Sequence, residues 1–454
     1  MFCKTVWGGL FIMPDGYIRL CSIGHFDSAT SLPAGHVASV GKLDNQRCRD
    51  KDGNIMHILT HSIQEIMNSD KHREVRLFNV NNPNKWSAHC ECCKNREVIT
   101  NFDRKHPNSS RRVYLNYIKN DDVVSENTFQ NNKIDSQGNI DWMPSSLDIN
   151  FGNLCNQKCV MCSPTFSNLW YEEYLGFYGN LTFGHGKQII VIKNTQTGKW
   201  DEPPELRWFE DPRWWPKFET MMPHLKHIYV TGGEPMVTPA HDIMLDKLID
   251  SGYAKNIWLE YDTNCSAINP KIVQRWNHFR LVHVRGSIEA TEKQYELVRY
   301  LGKWEKFQEN VQLLKEYGEK SNGKIQLLTL TTCFQMSTMY SIIETEKWCK
   351  SKNIPFHVRF LEGPLMHCVA CLDDEDKEKL IEYYNAFRDT SEKAPLIVKH
   401  LKEHMGSNHS SPKSVAQFIK FMDYLDTTRN TDWRSILPKV HKLVEKYKSV
   451  VSLI

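Results

Sequence analysis

Three cysteines fall within eight residues in the stretch Leu154 to Cys162, spaced Cys155-x3-Cys159-x2-Cys162. Thiolates so close on one loop point to a metal. A structural zinc site closes with four ligands, and none of the neighbouring residues offers a fourth: the next cysteine is Cys265, and His185 lies far along the chain. Iron–sulfur clusters also take Cys thiolates, usually four per cluster. Three thiolates leave one iron open, just as a catalytic zinc keeps one coordination position free. An open position implies chemistry rather than scaffolding.

The elements that must hold this loop follow from hydrophobic patterning. Residues 143–371 alternate short apolar runs (146–151, 227–232, 256–263, 281–289, 325–332 and 355–362) with amphipathic helical stretches. Strand–helix alternation predicts parallel β/α units, whose reactive groups collect at the C-terminal ends of the strands. Six such units suggest a partial or full β/α barrel, and the fold class read here is α/β with a partial TIM-like (β/α)6 barrel. The cysteine loop follows the first of these strands and precedes a helix, which is the expected place.

The remaining regions differ in composition. Residues 1–118 carry strand and turn signals, among them a hairpin around Pro14-Asp15-Gly16, where Pro presets φ and Gly accepts a positive value. This region reads as a small α+β domain. Residues 119–142 are polar and read as a linker. Residues 171–225 interrupt the first two β/α units, and 372–454 read as an amphipathic helical extension without cysteine.

Bulk properties set the frame. A chain of 454 residues implies two or three domains. A net charge of +3 from 57 Lys+Arg against 54 Asp+Glu gives no nucleic-acid signature. No apolar run suits a membrane span, and the N-terminus lacks signal-peptide character, so a cytoplasmic protein without membrane association is expected. In that compartment the 14 cysteines imply metal or catalysis before disulfides.

A second motif joins the first. The apolar run 227–232 leads into Gly232-Gly233-Glu234-Pro235, where glycines permit close backbone approach and a carboxylate suits an ammonium. Together, the three-cysteine loop and this Gly-Gly-Glu-Pro turn resemble the signatures of the radical S-adenosylmethionine (radical SAM) superfamily. The resemblance implies a [4Fe–4S] cluster on Cys155, Cys159 and Cys162. Its open iron would chelate S-adenosylmethionine, and reductive cleavage would yield a 5′-deoxyadenosyl radical for hydrogen abstraction. It also implies cofactor contacts: Met161 near adenine, where the family is often aromatic; Gly232, Gly233, Glu234 and Pro235 at the methionine amino group; and Asn264 at the third strand end. Ser287 and Glu289 would reach the ribose, with Glu289 where Asp is more usual, and Arg299 matches an Arg of related enzymes.

The amino-terminal cysteines extend the resemblance. Gly16 lies thirteen positions after Cys3, Gly16-x4-Cys21 follows, and Cys90-x2-Cys93 comes later. The pattern resembles the twitch domain, a shorter relative of SPASM, which implies an auxiliary [4Fe–4S] cluster on Cys3, Cys21, Cys90 and Cys93. Such modules usually follow the radical SAM core; here it comes first. Spacing alone leaves a four-cysteine zinc ribbon open. Cys92 could compete as a ligand. Cys48, Cys265, Cys333 and Cys349 read as buried thiols, and Cys368-x2-Cys371 reads as incidental.

By this resemblance the substrate is a peptide or protein side chain. A nucleotide, RNA or small carbohydrate is the alternative, and a zinc-stabilised binding module the non-enzyme one. Flavodoxin or ferredoxin would donate electrons. The segment with Trp208, Trp214 and Trp215 beside Arg207 and Arg213 either packs a local mini-core or forms a lid that stacks on substrate. No acid or base is identifiable.

Overall fold

The structure is a computed structural model, and it describes residues 3–21, 47–83, 85–90, 134–181, 191–361 and 363–451. Ten strands organise it: β1 (Gly9–Ile12), β2 (Ile18–Arg19), β3 (Ser146–Asn150), β4 (Lys158–Cys159), β5 (His227–Thr231), β6 (Trp258–Thr263), β7 (Leu281–Ser287), β8 (Arg299–Tyr300), β9 (Ile325–Phe334) and β10 (Phe356–Phe360). Eight of them form one sheet in the order β10-β9-β7-β6-β5-β3-β1-β2.

All six expected strands of the β/α region are present as β3, β5, β6, β7, β9 and β10, and each pairs in parallel with its neighbour. Helices Pro239–Asp250, Pro270–Trp276, Trp304–Lys320 and Ile342–Ser351 make the crossovers between them. Two start with proline, which costs nothing where the N–H lacks a helical partner. Asn269 caps the second by accepting from the Ile272 N–H. The fold is the expected α/β arrangement with an open, mostly parallel sheet. Strand β3 is buried at all five positions, as a strand covered on both faces must be.

The amino-terminal region does not stand apart from this sheet. Strand β1 pairs in parallel with β3, Gly9 opposite Ser146 through Ile12 opposite Ile149. The hairpin at Pro14–Gly16 forms as read, with β1 and β2 antiparallel. Of the polar 119–142 stretch, residues 119–133 lie outside the described residues. Ile140 is buried, and its carbonyl accepts from the Asn68 side chain.

The insertion resolves the tryptophan question in favour of a core. Trp208 and Trp214 are buried, 5.0 Å apart edge to face, and the Trp208 Nε1–H donates to the Pro14 carbonyl at 3.1 Å. These rings therefore fasten the insertion to the hairpin and are not a lid. Arg207 and Arg213 face outward, ion-paired with Glu210 and Asp211. After β10 come helices Asp374–Asn385, Ala394–Glu403 and Pro412–Arg429 and shorter turns, as the amphipathic pattern implied. Among the described residues no helix is long and apolar enough to cross a membrane.

Candidate metal centre

The cysteine loop is held by its own backbone and by neighbouring strands. After β3, Asn153 donates to the Pro164 carbonyl at 2.6 Å and to the Tyr171 hydroxyl at 2.8 Å. Ser167 Oγ donates to the Gln157 carbonyl at 2.8 Å, and the Cys162 N–H to the Cys159 carbonyl at 2.9 Å. The short strand β4 then pairs antiparallel with β8, which sets Cys159 opposite Arg299. The loop is thus a stitched turn at the C-terminal end of β3.

The three thiols are partly exposed and act on one another electrostatically. Burial, with Cys159 and Glu234 nearby, pushes the Cys155 thiol up to about 12. Burial and the two other thiols raise Cys162 as well. Coordination of a metal by these thiols would release their protons. Among the described residues no three His, Cys, Asp or Glu side chains stand preassembled at metal-holding spacing, these thiols included. The donor set still fits a cluster: three soft thiolates on one turn, beside a buried cation. That cation is Arg299, whose Nη1 lies 3.7 Å from the Cys159 sulfur. Its buried Nε–H has no acceptor among the described residues.

The Gly-Gly-Glu-Pro turn docks on the same loop. The Glu234 N–H donates to the Leu154 carbonyl at 2.8 Å. At Gly233 (φ +49°) a Cβ would come within 2.2 Å of that carbonyl oxygen, and at Gly232 (φ +81°) within 2.4 Å of the Asn150 side chain. Both conformation and space demand glycine. The Glu234 carboxylate is fully buried, and burial raises its pKa. It accepts from Thr263 Oγ1 at 2.6 Å and from the Asn264 N–H at 2.8 Å. Its side chain therefore ties β5 to β6. Pro235 opens the short helix that follows.

The other expected contacts gather at the same strand ends. Asn264 donates to Asn156 Oδ1 at 2.9 Å, so the end of β6 touches the residue after Cys155. Glu289, at φ +66°, receives Arg299 at 2.9 Å and the Cys333 N–H at 2.7 Å. Burial works against the charge of Arg299, but Cys159, when ionised as a ligand would be, and Glu289 outweigh it and raise its pKa. Ser287 ends β7 opposite Thr331, and Met161 sits partly exposed in the loop. Asn156, Gln157 and Thr263 were not singled out from sequence; each is an ordinary polar residue next to a recognised motif.

Cys48, Cys265 and Cys349 are buried as expected, whereas Cys333 is partly exposed at the end of β9. Cys368 and Cys371 are buried side by side after β10. Of the amino-terminal set, Cys3 and Cys90 pack on one small cluster of Val6, Trp7, Leu20 and Val75, and Cys21 directly follows Leu20. Sequence positions 3 and 90 thus share one small apolar cluster. Cys93 and Cys92 lie outside the described residues.

Comparison with known proteins agrees with this geometry. The family model for the radical SAM superfamily matches residues 149–332, and that for SPASM, an iron–sulfur cluster-binding domain, matches residues 3–94. No curated protein matches the chain. Solved structures that resemble it include anSMEcpe with bound AdoMet, 16% identical over 53% of this chain and 59% of that one, with a TM-score of 0.33. Streptococcus suis SuiB bound to precursor peptide SuiA is 16% identical over 65% of this chain and 57% of that one, with a TM-score of 0.31. The chain spans roughly three fifths of the length of these structures. The family models, not these distant likenesses, carry the assignment: the chain carries a radical SAM domain over residues 149–332, preceded by a SPASM iron–sulfur cluster-binding domain over residues 3–94.

Proposed function

We propose that this radical SAM enzyme oxidises or otherwise modifies a side chain of a peptide or protein. The observation that carries the chemistry is the contact of Gly233 and Glu234 with Leu154, which closes the glycine turn onto the three-cysteine loop. When bound, the cluster and S-adenosylmethionine supply a one-electron cleavage of the sulfonium and a radical for hydrogen abstraction. Cys155, Cys159 and Cys162 hold the cluster. Gly232 to Pro235, Asn264, Ser287, Glu289, Arg299 and Met161 bind the cofactor. Cys3, Cys21, Cys90 and Cys93 hold the auxiliary [4Fe–4S] cluster. A small reduced donor of the flavodoxin or ferredoxin kind supplies the electron.

The substrate class rests on the resemblance to twitch and SPASM modules, whose relatives often modify peptides, and on the polar face of the sheet. There the Tyr229 hydroxyl donates to Asp262 Oδ2 at 2.5 Å, and Arg285 Nε donates to Asp262 Oδ1 at 2.7 Å. Arg359, half exposed, stands 3.8 Å from the same carboxylate. Burial opposes the charge on Asp262, but Arg285 and Arg359 outweigh it and bring its pKa down to about 2. A group so acidic is a poor proton acceptor at neutral pH. In this reading Asp262, ionised and held by Tyr229 and Arg285, would accept hydrogen bonds from polar substrate groups such as peptide N–H and would not take a proton.

The test is turnover of peptides encoded beside the gene. The reading predicts a mass change in the peptide in step with 5′-deoxyadenosine. Cofactor cleavage that couples to nucleotides or carbohydrates but not to peptides would overturn it.

A further inference from the structure

The carboxy-terminal helix Pro412–Arg429 lies beyond both family models, which end at residues 94 and 332. Its last residue returns to the cysteine loop. Arg429 donates from Nε and Nη2 to the two carboxylate oxygens of Glu173, at 3.0 and 2.8 Å. Glu173 belongs to the helix Tyr171–Tyr178, which follows the loop after eight residues that include the short 3-10 helix Asn168–Trp170. From the other side Lys158, between Cys155 and Cys159, reaches Glu173 Oε1 at 3.0 Å. Side-chain exposure is 2% for Arg429 and 5% for Glu173.

The guanidinium is clamped between two rings. It lies 4.8 Å from the Trp170 ring and 4.4 Å from the Tyr300 ring. Tyr300 is the β8 partner of Lys158, one position from the Arg299–Cys159 pair. The two helices approach closely: a Cβ at Gly176 would come within 2.1 Å of the Tyr424 hydroxyl, and Phe177 meets Phe421 at 4.9 Å.

A buried ion pair adds little net stability over an apolar replacement, and its best-attested use is to fix one geometry. The planar two-pronged contact of Arg with carboxylate imposes that geometry more strictly than apolar packing. We propose that Arg429, through Glu173 and Lys158, is a positioning residue for the cluster: it braces the Cys155–Cys162 loop, and the carboxy-terminal extension is thereby part of the cluster-binding machinery. The inference rests on the radical SAM reading for what the loop holds.

The test compares full-length wild type with Glu173→Gln/Arg429→Met, which removes the buried ion pair and leaves Lys158, 18% exposed, to bond the Gln amide oxygen and solvent. It is run first on metal-free protein. Hydrogen exchange of residues 155–163 and alkylation of Cys155, Cys159 and Cys162 should accelerate by about tenfold, while β5 to β7 keep their protection. Arg429→Lys should restore part of it. After anaerobic loading, the double variant should lose iron to a chelator faster than wild type. Lys158→Met leaves the buried pair intact and should loosen the loop by a smaller factor. Should the double variant fail to fold, Lys158→Met decides. Wild-type loop exchange in the folded variants, or acceleration spread evenly over the sheet, would overturn the brace. Failure of wild type to take up iron and sulfide would instead strike the radical SAM reading, and the metal-free exchange data would stand apart from it.

Discussion

Two sets of cysteines sit at opposite ends of the parallel β1–β3 pairing and are built differently. Cys155, Cys159 and Cys162 come from one turn, so proximity is local and cheap in loop entropy. Cys3 and Cys90 are assembled over nearly ninety positions by a small cluster of Val6, Trp7, Leu20 and Val75, and Cys21 follows Leu20 in the chain. The first set lies at strand ends beside a glycine turn and a buried Arg299; the second packs against apolar side chains. The difference teaches that the first set is brought together by one turn among polar groups, whereas Cys3 and Cys90 of the second depend on a small apolar core. The pairing of β1 with β3 explains how the module attaches although it precedes the core.

Substitutions can break this comparison. The largest effect is expected from Cys155→Ala, Cys159→Ala or Cys162→Ala: cofactor cleavage falls to background, and bound iron drops from about 8 to about 4 per chain. Iron analysis and 5′-deoxyadenosine chromatography check both. The corresponding Cys21→Ala or Cys90→Ala should lose the other half of the iron yet keep cofactor cleavage in the absence of substrate. Equal loss of cleavage from both sets would erase the distinction. A smaller effect belongs to Asp262→Asn, which should lower substrate modification by about 100-fold through misorientation while leaving uncoupled cleavage in place. Product mass spectrometry alongside 5′-deoxyadenosine separates the two.

The smallest effect concerns stability against pH. Burial lowers His283 to about 4 and His367 and His400 to about 3, from an ordinary value of 6.5. The unfolded chain binds these protons first. Their contribution is therefore fully present above pH 6.5 and is lost as pH falls toward 3–4. Chemical denaturation of the folded protein between pH 7.5 and 5 should show the decline, and His367→Gln should flatten part of it. A stability that rises on acidification would contradict these buried neutral histidines.

Much of the site was legible because it is local in sequence. The thiols of Cys155 to Cys162, the turn Gly232–Pro235 and the six apolar runs each carry their signal within ten residues. The turn at Gly16 likewise announced the β1–β2 hairpin. What could not be read is what the chain brings together from afar. Nothing in Gly9–Ile12 specifies a partner in Ser146–Asn150, since a short apolar strand pairs with any complementary edge. The tryptophans at 208, 214 and 215 suit a core or a lid equally by type; only the contact with Pro14 decides. Glu289 at positive φ and the partial exposure of Cys333 depend on tertiary context at the strand ends. Arg429 and Glu173 are 256 positions apart and look like ordinary helix-surface charges.

The central claim is that the loop from Cys155 to Cys162 holds an open cluster that cleaves S-adenosylmethionine. The direct measurement is anaerobic reconstitution of the full chain, iron and sulfide analysis, and assay for 5′-deoxyadenosine after reduction. The account predicts about 8 iron and 8 sulfide per chain, with 5′-deoxyadenosine formed by wild type and not by Cys159→Ala. Stoichiometric zinc without acid-labile sulfide, or intact clusters that yield no 5′-deoxyadenosine, would contradict it.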